Sequence, residues 1–261
     1  MRSRILGLLL RYGYLYRRSL ARSMELFFWP VMDLLVWGFL TRYLEGVAAP
    51  RAVQYLVGAL ILWDVLYRCQ QAITLAITED VWVKNIINLF VTPVRPSELL
   101  LATSIVGVAK AAAPCLLLTV LAFVFYGFDL TRLGLALAPF LASLLLFGWA
   151  VGMFTAALIL RFGQAAEALV WGVPFLIQPL SAVFYPVAVL PPWARPLAWA
   201  LPSTHVFEGM RAVLAGEGMR GGTLALAFGL NAVYLAAGAL FFRWMLERVR
   251  EKGYLGRLGM E

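Results

Sequence analysis

The sequence predicts an all-α polytopic membrane protein that folds as a single bundle of six transmembrane helices. Hydrophobic residues make up 62% of the chain and charged residues only 14%, against roughly half and about a quarter in a typical soluble domain. The apolar segments run for about 18 residues or more, the length that a helix needs to cross a hydrocarbon core of roughly 30 Å. Because lipid offers no hydrogen-bond partners, such continuous segments satisfy their backbone groups as helices.

The first element, residues 1–22, is predicted to be an amphipathic helix that lies at the membrane interface. Arg4, Arg11, Arg18 and Arg22 repeat at spacings of seven and four residues, which stacks them along one side of a helix. The other side carries Ile5, Leu9, Tyr12 and Tyr16. We expect the tyrosines at headgroup depth and the arginines toward anionic lipid. Alternatively, the arginines only keep this end of the chain in the cytoplasm.

Six apolar segments then predict the transmembrane helices, and these segments are residues 26–43, 53–77, 99–126, 133–160, 168–189 and 223–246. An even number of spans puts both termini on one side, where fourteen Lys and Arg collect against six on the other side. The positive-inside rule therefore places both termini in the cytoplasm. This distribution accounts for the net charge of +8, so no nucleic-acid partner is expected.

Between the second and third spans, residues 79–92 are predicted to form a short amphipathic helix on the cytoplasmic side. Its apolar face is formed by Val83, Ile86, Ile87 and Phe90. Its polar face is formed by Asp80, Lys84 and Asn88. Pro93 and Pro96 then end the helix, because proline cannot continue it. Such a helix, held between two spans, could pass a movement of a partner protein to both of them; alternatively, it is an ordinary interfacial loop helix.

The fourth span carries a ridge of small residues, Gly148, Gly152 and Ala156, at a spacing of four. Ridges of this kind let two helix backbones approach closely, so this one predicts a helix-packing surface. The fifth span contains Pro174 and Pro179, which predict kinks. Residues 190–220 follow with several prolines and tryptophans. They are expected to form a re-entrant helical cap on the outer side.

Four charged residues fall inside predicted spans: Asp33, Asp64, Arg68 and Lys110. Charge inside a membrane is costly, so each such residue is a candidate functional group. Counting the helical rise from the span ends suggests two structural ion pairs, Asp33 with Arg68 and Asp64 with Lys110. A polar lining for translocation, or a proton relay, is the alternative.

No catalytic, metal or cofactor site is predicted. His205 is the only histidine, and Glu208 beside it on the outer connection favours a surface hydrogen-bonded pair over catalysis. The glycine-rich segment Gly216–Thr223 lacks the lysine of a phosphate-binding loop. Cys69 and Cys115 lie inside spans without a metal-binding spacing, which is typical of small apolar filler.

The order of these elements resembles the type-2 permeases of ATP-binding-cassette (ABC) exporters. The segment 79–92, followed by TPVRPSELLL, is similar to the coupling helix of that family. The connection LSAVFYPVAVLPPWARPLAWALPSTHVFEGMR, residues 180–211, is similar to the outer connection of the family. With the basic N-terminal helix and the six spans, the resemblance covers essentially the whole chain.

The resemblance implies a half-transporter in the plasma (inner) membrane of a bacterium or archaeon. Two copies would form a homodimer, and two separate ABC ATPase subunits would dock below, carrying the ATP and Mg²⁺ that this chain does not bind. The coupling residues would be Asp80, Val83, Lys84, Ile86, Ile87, Asn88 and Phe90. The cargo would be exported as a drug or a lipid- or glycan-linked amphiphile, with membrane lipid as a further contact.

Three other classes remain open at this point. A secondary transporter would use an ion gradient through Asp33 or Asp64 and would usually show two repeated halves, which the sequence does not show. A membrane enzyme would need a clustered acid–base or metal set. A structural scaffold would not need the proline-broken fifth span or the cap.

Overall fold

The computed structural model describes residues 2–47, 52–83, 85–219 and 221–251, and within these ranges the chain forms helices and no strands. Its α-helices are α1 (Arg2–Arg18), α2 (Leu20–Val47), α3 (Ala52–Trp82), α4 (Ile86–Val91), α5 (Pro96–Tyr126), α6 (Leu137–Phe162), α7 (Leu169–Leu180), α8 (Arg195–Trp199), α9 (Pro202–Leu214) and α10 (Gly221–Glu251). Short 3₁₀ turns lie at Leu130–Ala136, Gly163–Ala166 and Val187–Val189.

Four helical segments of the described chain are long and apolar enough to cross a membrane: Arg22–Gly46, Pro96–Tyr126, Leu130–Phe162 and Gly221–Glu251. They contain the predicted first, third, fourth and sixth spans. The predicted second span lies in α3, which is 31 residues long but carries four charged side chains. The predicted fifth span corresponds to α7, which has only 12 residues. The arrangement of six spans therefore stays a prediction.

Helix α3 is the centre of the bundle, since α2, α5 and α6 all pack against it. Every residue from Val57 to Leu66 is buried, which suits a helix segment that is largely apolar all round. Helix α10 packs on α6 instead, so that α6 lies between α3 and α10.

The small-residue ridge of α6 lies against the backbone of α3. A β-carbon added at Gly148 would be 2.6 Å from the carbonyl oxygen of Leu66, and one added at Gly152 would be 2.8 Å from that of Gln70. Both distances are too short for any side chain, so glycine is required for this approach of the two helices. Ala156, one turn further along, is fully buried.

Helix α7 stops at Leu180, well before the predicted end of the fifth span at residue 189. Ala182 has a φ of 50°, a left-handed conformation that costs a residue with a β-carbon roughly 1–2 kcal/mol. The chain then forms a compact turn over residues 181–189, here called the 181–189 turn. Arg211 on α9 holds this turn by donating from Nη2 to the Ala182 carbonyl at 2.9 Å and from Nη1 to that of Val183 at 3.2 Å.

Helices α8 and α9 lie in the predicted cap and are bonded to the 181–189 turn. Glu208 accepts a hydrogen bond from the Val187 amide at 2.7 Å and pairs with Arg211 at 3.0 Å. His205 is buried, and a ring nitrogen lies 2.8 Å from the Trp199 carbonyl. The expected surface pair of His205 and Glu208 is therefore corrected, since each side chain has its own partner in the cap.

A cleft of about 1030 Å³ opens beside the cap. It lies between α9, the beginning of α10, and the ends of α2 and α3 that face them, and we call it the α9–α10 cleft. Its walls are mainly apolar, with the charged pair of Glu208 and Arg211 on one side. Phe184, from the 181–189 turn, also lines it.

Candidate coupling site

The predicted coupling segment forms two helices where one was expected. Helix α3 continues through the beginning of this segment and ends at Trp82, and the short helix α4 begins at Ile86. The break between them is stabilised by Asn85, whose amide donates to the Asp80 carbonyl at 2.8 Å and whose side chain donates to Asp80 Oδ1 at 3.0 Å. We call residues 79–98, from the end of α3 to the first turn of α5, the coupling site.

Helix α5 begins directly after this segment, with Pro96 at its first position. Pro96 fits there because the first turn of a helix has no use for that amide hydrogen. The Arg95 amide donates to Glu98 Oε2 at 2.9 Å, which satisfies a backbone group at the start of the helix. Glu98 is itself buried. The described part of the coupling site therefore continues from the end of α3 on one side and runs directly into α5 on the other.

Arginines from the N-terminal region hold both ends of the coupling site. Arg11 of α1 forms a two-pronged ion pair with Asp80, in which one nitrogen–oxygen distance is 3.1 Å. Arg4 of α1 donates to the Pro93 carbonyl at 2.7 Å and lies 3.5 Å from Glu98.

A third arginine, from the beginning of α2, adds a contact at the end of α3. Arg22 lies 3.5 Å from Glu79. The expectation that these arginines face anionic lipid is corrected for Arg4, Arg11 and Arg22, because each pairs with a carboxylate of the coupling site. Arg18 is exposed.

The ion pair of Arg11 and Asp80 changes the titration of the arginine. Burial by itself would lower the pKa of Arg11, but the hydrogen bond and the negative charge of Asp80 outweigh it, so the pKa is raised. The neighbouring Tyr16 has its pKa raised to about 12, first by burial and then by the charge of Glu79. The arginine therefore stays charged, and the tyrosine neutral, throughout the physiological pH range.

The exposed residues of the coupling site are partly apolar and partly polar: Trp82, Val83, Val91 and Pro93 beside Asn88, Thr92, Arg95 and Ser97. Val83 and Val91 expose 69% and 80% of their surfaces, and Asn88 is also exposed. Leu89 is buried against the bundle. Lys84 lies outside the described residues, as do the side chains of Ile86, Ile87 and Phe90, although these three belong to α4. An exposed apolar patch beside a rigid junction is typical of a protein-binding surface.

The four charges inside predicted spans are arranged differently from the predicted pairs. Arg68 Nε donates to Asp64 Oδ1 at 3.2 Å, one helical turn away on α3. The Lys110 ammonium lies 4.2 Å from the centre of the Tyr16 ring on α1. Asp33 is exposed and is influenced by the charge of Arg68, but within the described ranges it forms no ion pair.

The predicted pairings of Asp33 with Arg68 and of Asp64 with Lys110 are therefore corrected. They were derived from depth along each helix, which ignores the direction in which a side chain points. The spacing of four between Asp64 and Arg68 was the signal for the observed pair, since residues four apart share a helix face.

The sequence does not single out Glu79, Asn85 and Glu98 of the coupling site, or Arg4 and Arg22 as residues that contact it. The seven-residue repeat of Arg4 and Arg11 was visible, as were the carboxylates at both ends of the segment. The sequence could not show that these charges meet, because α1 and the coupling site are about 70 to 90 positions apart in the chain.

Comparison with protein families gives one match that bears on this site. The family model for the ABC-2 type transporter matches residues 11–215. The matched region contains the coupling site, the 181–189 turn, and helices α8 and α9. No curated protein matches the chain.

Proposed function

The chain belongs to the ABC-2 type transporter family, and from this membership we propose that it is the permease subunit of an ATP-driven exporter. As a family member it is a multi-pass membrane protein and a transport component without catalytic activity of its own. The finer proposal is that it moves an amphiphilic molecule, such as a drug or a lipid- or glycan-linked compound, out of the cytoplasm.

The architecture of the coupling site is the observation that carries this proposal. An exposed apolar patch at Val83 and Val91 sits on a junction that is bonded to α1, α3 and α5. A partner that binds the patch would move these three helices together. Ion pairs and a hydrogen bond join the junction to α1, and α5 begins directly after it at Pro96. The function of such a rigid lever is to transmit a force generated elsewhere.

The partner in this proposal is an ABC ATPase, encoded as a separate chain. ATP and Mg²⁺ would bind to that subunit and not to the permease. Asp80 has a positioning role in this scheme, since it ties α1 to the end of α3 through Arg11.

The proposed arrangement in the membrane has six spans, with α3 and α7 joining the four long apolar helices. The coupling site and both termini would face the cytoplasm, where the surplus of Lys and Arg lies. The cap and the α9–α10 cleft would face outward. Two copies of the chain would assemble as a homodimer in the plasma membrane of a bacterium or archaeon.

The test is to reconstitute the permease with a separately encoded ABC ATPase as its candidate partner. We expect the two proteins to purify as a complex, and we expect nucleotide hydrolysis that neither subunit supports at that rate alone. A substitution of Val83 by glutamate should abolish the stimulation while leaving membrane insertion intact. Vesicles that contain only this chain, and that accumulate cargo on a proton or sodium gradient, would favour a secondary transporter and contradict the proposal.

A further inference from the structure

A second cavity, of about 390 Å³, lies among α2, α3 and α7, and we call it the aromatic chamber. Its size falls in the range of small-molecule sites, roughly 300–1,000 Å³. The aromatic side chains that line it are Trp29, Trp37, Trp63, Tyr67, Phe175 and Phe184. Rings from four separate parts of the chain therefore surround one space.

Charged side chains of the chamber carry a net negative charge. Asp33, Asp64 and Arg68 all line it. The only basic side chain among its lining residues is Arg68, which is already bonded to Asp64. Lys110 lies elsewhere, over the ring of Tyr16. The chamber thus holds one more carboxylate than it has cations to neutralise.

One oxygen of Asp64 has no partner among the described residues. The Asp64 side chain is about nine-tenths buried, and Oδ1 accepts from Arg68, whereas Oδ2 is buried and makes no hydrogen bond within the described part of the chain. A buried carboxylate oxygen left unpaired costs roughly 1–3 kcal/mol or more. A purely structural ion pair would be expected to satisfy both oxygens, so this one points to a ligand that supplies the missing contact.

We infer that the aromatic chamber binds an organic cation with an apolar body. Electron-rich ring faces attract cations, and the attraction strengthens when water is excluded. Asp33 and the free oxygen of Asp64 would face the positive group, while the rings enclose the apolar part. The same walls disfavour an anion, which would meet two carboxylates and the negative ring faces. The inference rests on the proposed transport function, whose substrate class it narrows to cationic amphiphiles.

A bare metal ion fits the chamber less well than an organic cation. Hard cations take six or more oxygen ligands in a compact shell, whereas this space offers two carboxylates and is walled by rings. Its volume would also be mostly empty around a single ion. The aromatic surface instead suits a ligand that has an apolar surface of its own.

The experiment compares two probes of nearly the same shape and opposite charge, tetraphenylphosphonium and tetraphenylborate. Each is titrated into the full chain in lipid nanodiscs, and binding is followed by quenching of tryptophan fluorescence after subtraction of nanodiscs without protein. We expect saturable binding of the cation, at least about tenfold tighter than any binding of the anion.

Variants at the two carboxylates locate the binding. Asp33→Asn should weaken binding of tetraphenylphosphonium by several-fold, and Asp33→Asn with Asp64→Asn by about a hundredfold. Asp129→Asn, in the turn between α5 and α6, is the matched control, since asparagine can replace aspartate at a helix start. It should bind as the unchanged chain does. Asp33 is exposed and has no structural partner among the described residues, so its variant stays informative if the double variant does not fold.

Equal binding of the two probes, or unchanged cation binding in Asp33→Asn, would overturn the inference. The binding assay needs no ATPase, which separates this inference from the proposed function. ATP-driven transport without cation binding would contradict only the inference about the ligand of the aromatic chamber. Cation binding to a chain that never couples to an ATPase would instead support the ligand and contradict the exporter.

Discussion

Arg11 and Asp80 are 69 positions apart in the chain, yet their side chains form the contact that joins α1 to the coupling site. Asp80 is almost completely buried, while about a third of the Arg11 side chain remains exposed. Asn85 bonds to the same carboxylate. The arginine therefore serves to neutralise a buried charge and, through it, to fix the place where α3 gives way to α4.

Replacing Arg11 by methionine should lower the free energy of unfolding by about 1–3 kcal/mol, because Asp80 would lose its charge partner while staying buried. Arg18→Met is the matched control on the same helix, where the arginine is exposed and little change is expected. Thermal unfolding of both variants in detergent gives the comparison. Equal losses in the two would mean that the ion pair contributes nothing.

At the level of residues, the sequence identified the important charged side chains, but it did not identify their interaction partners. Arg4 and Arg11 stood out by their repeat, but lipid phosphate and a carboxylate attract arginine alike. Their partners are distant in sequence, and only the fold brings them together. Asp64 and Arg68 could have been paired from their spacing, because both lie on one helix; Lys110 could not, since its neighbour Tyr16 is on α1.

The helix ends in this chain are set by local interactions, and these are only partly recognisable in the sequence. Pro96 did predict the beginning of α5. The end of α3 depends on a bond between Asn85 and Asp80, and the end of α7 on the left-handed backbone of Ala182. Neither asparagine nor alanine marks a helix end strongly by itself. The segment 79–92 was therefore predicted as one helix, and the predicted fifth span extends beyond the end of α7.

The exposed apolar patch of the coupling site predicts sensitivity to charge. Val83→Glu and Val91→Glu should each reduce ATPase stimulation about tenfold or more, because docking would desolvate the new carboxylate. Glutamate at Ile87 or Phe90 is expected to act in the same way. The measurement is nucleotide hydrolysis by the reconstituted complex.

The control for this series is Val189→Glu, since Val189 is 68% exposed, close to the 69% of Val83, and lies in the 181–189 turn after the end of α7. It introduces the same charge in place of the same residue type, far from the coupling site in sequence. Its complex should keep full stimulation. If Val189→Glu and the coupling-site variants lost activity together, a general effect of charge on the permease would explain the result.

The close approach of α6 to α3 predicts intolerance at Gly148. Gly148→Ala would place a β-carbon 2.6 Å from the Leu66 carbonyl oxygen, and relieving that overlap should cost about 1–3 kcal/mol of stability. Gly229 lies inside α10, and a β-carbon added there would have no atom within 4 Å. Gly229→Ala should therefore raise the free energy of unfolding by up to about 1 kcal/mol. Unfolding in detergent measures both, and opposite signs are the expected result.

For the molecule as a whole, composition predicted the helical class, and four of the six predicted spans coincide with long apolar helices. The other two are harder to identify because α3 combines apolar length with buried charge, while α7 is short. Burial inside the bundle, which a single sequence does not reveal, is what allows α3 to carry Asp64 and Arg68. The family match over residues 11–215 supports a multi-pass membrane protein without fixing the number of spans.

The proposed homodimer gives a prediction at this largest scale. The chain has a mass of 29.0 kDa, and native mass spectrometry of the permease released from nanodiscs should give twice that value. Chains purified from cells that express a second permease should still be recovered as pairs of this chain alone. A stable monomer, or a partner permease of different mass, would contradict the homodimer.

Trp37 of α2 stacks on Phe184 of the 181–189 turn, with ring centres 4.9 Å apart and planes 15° from parallel. Phe184 belongs to the walls of both the aromatic chamber and the α9–α10 cleft, so one ring of the stacked pair borders both spaces. Because Trp37 is on α2 and Phe184 is on the turn, a shift of one element relative to the other would reshape the walls of both spaces at once, without unwinding any helix.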